Sequence, residues 1–249
     1  MLNKIIHGDP AGLPPLVIAH GLFGSARNWG VIAKRLSQSR QVTAVDMRNH
    51  GDSPRYNTNS HLDMADDLAQ VTPNHGDILG HSMGGKAAMT FALKYPQNIR
   101  RIVIADIAPV AYDHSQQSMI DAMRQVDLGS LQNRSDADAQ LTPHVEDPGV
   151  RAFLLQSLDV QARRWKLNLD VLEADMDKIL GFPELDGRFD GPALFLSGAN
   201  STYVTPEHRP LIKSLFPNAR FAKIPGAGHW LHADKPREFE AAVTAFLDA

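Results

Sequence analysis

The stretch Ile78-Leu79-Gly80-His81-Ser82-Met83-Gly84-Gly85-Lys86-Ala87-Ala88-Met89 decides how this chain is read. Ile78-Leu79 is an apolar run that suits a buried strand, and the residues from Gly85 onward read as a helix. Between them stands Gly80-His81-Ser82-Met83-Gly84, a G-x-S-x-G pattern. A turn that sharp forces the serine into a strained backbone conformation, and glycines two residues away on either side remove the Cβ atoms that would collide. The hydroxyl is thereby raised on a rigid point beside a helix N-terminus, where free N–H groups and the helix dipole favour developing negative charge. Taken alone, the five residues suit a passive glycine-rich turn equally well.

Working outward from this turn, Leu16-Val17-Ile18-Ala19 reads as a buried parallel strand that runs into His20-Gly21-Leu22-Phe23-Gly24-Ser25. A helix is expected from Asn28 to about Ser37. Val42-Thr43-Ala44-Val45-Asp46 reads as a strand ending in Met47-Arg48-Asn49-His50-Gly51-Asp52-Ser53. Leu62 to Val71 has an apolar helical face. The helix after Ser82 is expected to stop at Pro96, and Arg101-Ile102-Val103-Ile104-Ala105 is the next strand. This alternation argues an α/β fold with a mostly parallel, doubly wound sheet. Ligands of such sheets bind beyond the carboxyl ends of the strands, where Leu22, Ser82 and Asp106 all fall.

The rhythm breaks between about Tyr112 and Asp190. No convincing strand is found there. Helical patterns appear instead, at Met119, Ile120, Met123 and Val126, at Val150, Phe153 and Leu154, and at Leu172, Met176, Ile179 and Leu180. Asn133 to Gln140 reads as a polar loop. The expected organisation is one core, residues 1–111 and 191–249, with a helical cap over 112–190 that excludes water and shapes the pocket. The sheet resumes at Ala193-Leu194-Phe195-Leu196-Ser197 and ends at Phe221-Ala222-Lys223-Ile224. Pro225-Gly226-Ala227-Gly228-His229-Trp230 follows as a loop, and a last helix starts near Pro236.

Composition narrows the function. Net charge is -3 over 249 residues, with acids and bases spread along the chain. No basic stripe points to nucleic acid, and no polybasic helix points to a membrane surface. With no cysteine there is no disulfide, thiolate metal site or cysteine nucleophile. The amino-terminal residues lack the apolar stretch of a signal peptide, and no run approaches the roughly 18 apolar residues of a membrane span. A cytoplasmic protein without metal or organic cofactor is expected, and the oligomeric state is left open.

Taken in order, these motifs resemble the α/β-hydrolase superfamily across essentially the whole chain. Asp46-Met47-Arg48-Asn49-His50-Gly51-Asp52-Ser53, Gly80 to Lys86 and Asp106-Ile107-Ala108-Pro109-Val110 are similar more narrowly to the YbfF-type bacterial esterases and their mitochondrial abhydrolase relatives. In this superfamily G-x-S-x-G is the nucleophile elbow, and the loop after the first of these strands supplies one oxyanion donor. The resemblance implies Ser82 as nucleophile, with the N–H groups of Leu22 and Met83 as the oxyanion hole. Of eleven histidines, His229 stands in the glycine-rich loop after the final strand, where the fold keeps its base. The acid departs from the common form. Gly198-Ala199-Asn200-Ser201-Thr202-Tyr203 holds none, and the first carboxylate after it, Glu207, falls in a helix. Asp106 is the acid expected instead, and the order Ser82, Asp106, His229 suits the superfamily.

The resemblance further implies a carboxylesterase acting on a small-molecule ester, with acyl-CoA thioesters as an extension. Trp165 and Asn168, in a stretch similar to the group's cap, are expected to face the pocket, with Trp230, Lys86 and Arg48 as further substrate contacts. Lys86 equally suits a tethering lysine, and Arg48 a residue that ties loops together with Asp46. Rival chemistries with the same triad are a cofactor-free haloperoxidase, a C–C hydrolase and the lyase-like enzyme of menaquinone synthesis. A haloalkane dehalogenase would need Asp in place of Ser82. A non-catalytic ligand-binding module on the same fold is the rival of another class.

Overall fold

The computed structural model describes residues 1–10 and 12–249. The first half of the chain lays down β1 (Lys4–His7), β2 (Leu16–Ala19), β3 (Val42–Val45), β4 (Gly76–His81) and β5 (Ile99–Ala105). An insertion follows, carrying the short hairpin β6 (Leu158–Asp159) and β7 (Arg164–Trp165) among helices. Then come β8 (Ala193–Gly198) and β9 (Ala219–Ile224). Among the described residues, seven strands form one sheet in the order β1-β3-β2-β4-β5-β8-β9. All pairings are parallel except that of β1, which runs antiparallel to β3 with Lys4 opposite Val45.

Inner strands such as β2 and β8 are apolar without alternation because both faces of the sheet are covered there. In β5, Ile102 and Ile104 pack into the layer that holds Ala88 and Phe91 of the helix after Ser82. Val103 and Ala105 pack into the opposite layer with Leu36 and Phe246. Helices Gly30–Leu36 and Pro236–Leu247 cover that second face. The expected helix at Asn28 begins as a 3-10 turn, Ala26–Trp29, and the C-terminal helix does start at Pro236.

Three expectations need correction. The stretch read as free of strands carries the short antiparallel hairpin β6–β7. Lys4–His7 is a strand that sequence patterning passed over. The stretch expected as a loop at Asn133 to Gln140 is a helix, Arg134–Leu141. Its physical reason is a capping box: Asn133 Oδ1 accepts from the N–H groups of Ser135 and Asp136, and Asp136 Oδ2 accepts from that of Asn133. Ala137 and Leu141, four residues apart, supply its buried contacts.

Helices Gln117–Arg124, Arg134–Leu141, Pro148–Leu155, Leu169–Ala174 and Met176–Leu180 all lie between β5 and β8. The chain returns to the sheet at the amino end of β8, which runs parallel to β5, but the insertion itself leaves at the carboxyl end of β5. It meets the core loops there through Asn168, whose N–H donates to the Asn49 carbonyl (2.9 Å), and Lys166, paired with Asp52 (2.8 Å). No helix among the described residues is long and apolar enough to cross a membrane.

Candidate active site

Ser82 sits at the end of β4 with φ +53° and ψ −120°, a conformation that costs a non-glycine residue about 1–3 kcal/mol. Its neighbours hold it there. Its N–H donates to the Ala105 carbonyl (3.1 Å), and its own carbonyl accepts from the N–H of Lys86 (3.0 Å). A Cβ on Gly80 would strike the Gly84 carbonyl, and one on Gly84 would strike the carbonyls of Ala19 and His20. The pentapeptide spelling therefore follows from close packing of the turn against β2. Helix Met83–Lys94 begins directly after Ser82, so the Met83 N–H has no partner within its own helix.

Asp106 follows β5, fully buried, with φ +52°. Its Oδ1 accepts from the Gly198 N–H (3.1 Å). Its Oδ2 accepts from Ser201 Oγ (2.5 Å) and meets His229 Nδ1 at 2.8 Å. A carboxylate only accepts, so Nδ1 carries the proton and Nε2 is left as the basic nitrogen. Sequence reasoning marked Ser201 as the position without an acid and did not foresee that its hydroxyl donates to Asp106. Nor did it single out Tyr203, whose ring stacks on that of His229 with centroids 4.0 Å apart.

Three further histidines are buried around the site. His81 Nε2 donates to the His229 carbonyl (2.9 Å), and its ring lies 4.8 Å from that of His229. Burial, reinforced by His229, holds its pKa well below the usual value. His232 stacks on Trp29 at 4.1 Å, and burial pushes it down to about 3. His20, also lowered mainly by burial, accepts the Met47 N–H at Nε2 (2.9 Å) and donates from Nδ1 to the Gly21 carbonyl (2.7 Å). These rings stay neutral, so an imidazolium at position 229 meets no neighbouring cation among them.

Ser82 and His229 open on one cavity of about 660 Å³, within the usual range for small-molecule sites. Leu22 and Met83 line it from the core, as does Trp230. Met119, Val150, Phe153 and Leu154 line it from the insertion. Trp165, Asn168 and Arg48, expected to contact substrate, lie outside the lining of this cavity. Trp165 is buried inside the insertion, its indole N–H donating to the Met123 carbonyl (3.0 Å). Asn168 Nδ2 is used by Asn49 Oδ1 (3.1 Å) and the Tyr56 carbonyl (3.2 Å). Arg48 is buried against Asp67 (2.6 Å) and stacks on Tyr56. Lys86 does reach the cavity, but its ammonium donates to the carbonyls of Val110 (2.7 Å), Leu180 (2.5 Å) and Gly181 (2.7 Å). It joins the two ends of the insertion to the helix that follows Ser82.

A seven-stranded, mostly parallel sheet with this turn at the end of β4 defines a class, and the chain belongs to it. The α/β-hydrolase fold family matches residues 14–236. The chain is 44% identical to the sn-1-specific diacylglycerol lipase ABHD11 of Mus musculus, over 98% of this chain and 84% of that protein. It is 38% identical to Esterase YbfF of Escherichia coli (strain K12), over 94% and 93%. A solved structure of a marine microorganism esterase matches with a TM-score of 0.92 and 37% identity, covering 98% of each chain. The chain is a serine hydrolase of the esterase and lipase class to which these relatives belong.

Proposed function

We propose that the protein hydrolyses carboxylic esters through an acyl-enzyme formed on Ser82. The observation that carries this reading is the 2.8 Å pairing of His229 Nδ1 with the buried Asp106, together with a strained serine that opens on the same cavity as His229. Ser82 Oγ attacks the acyl carbonyl and His229 Nε2 takes its proton. The N–H groups of Leu22 and Met83 receive the oxyanion, each such donor being worth about 3–4 kcal/mol in enzymes of this kind. His229 then protonates the leaving alcohol, and water releases the acid by the same route.

Residues 112–190 act as a cap in this reading. Their apolar side chains at Met119, Val150 and Phe153 favour an alkyl or aryl acyl group over a charged one. Acyl-CoA thioesters fall within the same chemistry, because a thiol is a stronger acid than an alcohol and leaves more readily.

The test is turnover of p-nitrophenyl esters of increasing acyl length by the protein and by Ser82→Ala, with an oxoester and a CoA thioester of the same acid compared directly. Loss of turnover in the variant supports the mechanism, and the length optimum sizes the cavity. Turnover that survives Ser82→Ala refutes it.

A further inference from the structure

The loop that carries Leu22 is held from the insertion as well as from the core. Phe23 has φ +62°, which a bulky residue keeps only under external restraint. Its N–H donates to His50 Nε2 (3.2 Å), and His50 is fixed in turn by donation from Nδ1 to the Arg48 carbonyl (2.8 Å). The Phe23 carbonyl accepts from Ser157 Oγ (2.8 Å). Ser157 belongs to the insertion, just past helix Pro148–Leu155, and is 3% exposed. Its N–H donates to the Leu154 carbonyl (3.0 Å) and its carbonyl accepts from the Lys166 N–H (2.7 Å). The hydroxyl is thus presented from a fixed backbone.

The contact continues through two peptide groups. The amide whose carbonyl Ser157 holds is the one that carries the Gly24 N–H. That N–H donates to the Gly21 carbonyl (3.0 Å). The Gly21 carbonyl shares its rigid plane with the Leu22 N–H. The order is therefore Ser157 O–H to the Phe23 carbonyl, Gly24 N–H to the Gly21 carbonyl and, with Leu22 read as the oxyanion donor, Leu22 N–H to the oxyanion. Each hydrogen bond in such a chain polarises the next. His20 Nδ1 adds a second donor on the Gly21 carbonyl.

We propose that Ser157 is a positioning residue for the oxyanion donor, orienting and polarising the Leu22 N–H through the Phe23–Gly24 and Gly21–Leu22 amides. This rests on the reading of Leu22 as an oxyanion donor. It ties seating of the insertion to transition-state stabilisation as well as to enclosure of the substrate.

The experiment compares the protein with Ser157→Ala and Ser157→Thr, the latter keeping the hydroxyl. Three quantities are read: kcat and KM on one p-nitrophenyl ester, the inhibition constant of an alkylboronic acid that forms a tetrahedral adduct on Ser82, and the ratio of rates on an ester and its thionoester. Sulfur is a poor hydrogen-bond acceptor, so that ratio reports the oxyanion donors. Being taken within one variant, it does not depend on the folded fraction. Ser157→Ala is expected to lower kcat about 10-fold with KM unchanged, to weaken the boronate about equally and to shrink the ratio, against a loss of about 10²–10³ for a whole donor. Ser157→Thr is expected to restore all three. Ser157→Gly removes the same hydroxyl and serves if the alanine variant does not fold. A raised KM with unchanged kcat, boronate affinity and ratio overturns the inference alone, in a protein whose turnover Ser82→Ala abolishes. Turnover that survives Ser82→Ala overturns the reading of the site, and the inference with it.

Discussion

Acid is expected to unfold this protein well before its carboxylates are protonated, because of histidines buried as neutral rings. His50, His61 and His232 are 1%, 2% and 9% exposed, and burial is the largest cause that holds each at about 3. His20 adds to the effect on His50, Lys86 to that on His61 and His229 to that on His232. Between pH 3 and 6.5 the unfolded chain binds protons at these positions and the folded one does not, so stability falls as pH falls. At pH 5 the solution is about 1.5 units below the unfolded pKa of each ring, so keeping a ring neutral costs about 2 kcal/mol at 1.36 kcal/mol per unit. The three together remove about 6 kcal/mol, against a total of roughly 5–15 kcal/mol for a typical domain. His20 and His81 are lowered as well and push the same way. Urea unfolding at pH 7 and pH 5, at one ionic strength, reads this directly. His61→Gln keeps a donor for the Ile179 carbonyl that His61 Nε2 meets at 3.0 Å, and it cannot titrate. It should remove about a third of the loss. A midpoint that does not move between pH 7 and pH 5 refutes the argument, and an unchanged pH response in His61→Gln refutes the part assigned to that ring.

The site and the insertion supply three further expectations. Asp106→Asn leaves the cavity in place but no longer selects the Nδ1–H tautomer of His229, so kcat should fall about 10⁴-fold, read on any ester the protein turns over. Adding Ser201→Asp to that variant returns a carboxylate near His229, because Ser201 Oγ lies 2.5 Å from the oxygen that His229 meets. Activity should recover about tenfold or more over the single variant, each tenfold being 1.36 kcal/mol of barrier, and no recovery means that position 201 cannot reach the imidazole. Lys86→Met leaves three carbonyls without their donor at about 1 kcal/mol each. Tm should drop by about 6–12 °C in calorimetry, at about 2–4 °C per kcal/mol for a chain of this size.

The sheet was legible because its strands are covered on both faces. Runs such as Ile102-Val103-Ile104-Ala105 leave little else to read. β1 was not legible, because it is an edge strand with a partly exposed face, and four residues of mixed burial carry no periodic signal. Inside the insertion, periodicity found the apolar faces without saying what they face. Val150, Phe153 and Leu154, marked as one helical stripe, line the cavity, whereas Trp165, expected there, packs into the insertion's own interior. A packed face and a cavity-lining face have the same composition, and only tertiary placement separates them. Ser157 gave no signal at all. One hydroxyl aimed at a backbone carbonyl 134 residues away has no signature in local sequence.

The departure from the common acid position was the more informative observation. A stretch without a carboxylate at Gly198–Tyr203 sent the reading to Asp106. The structure places the two positions at opposite ends of one hydrogen bond, Ser201 Oγ to Asp106 Oδ2. The ends of β5 and β8 are neighbours in the sheet, with Ala105 opposite Leu196. Position 201 therefore lies beside the carboxylate oxygen that meets the imidazole. Ser201 also answers a need that the move creates. Asp106 is fully buried, and a buried carboxylate requires donors. The hydroxyl left at the vacated position supplies one, the Gly198 N–H a second and His229 a third. The position without an acid and the buried Asp106 are thus parts of one arrangement. Ser201→Asp on its own should be destabilising, because it sets a second carboxylate against Asp106 with no added donor, and it becomes tolerable once Asp106 is neutralised.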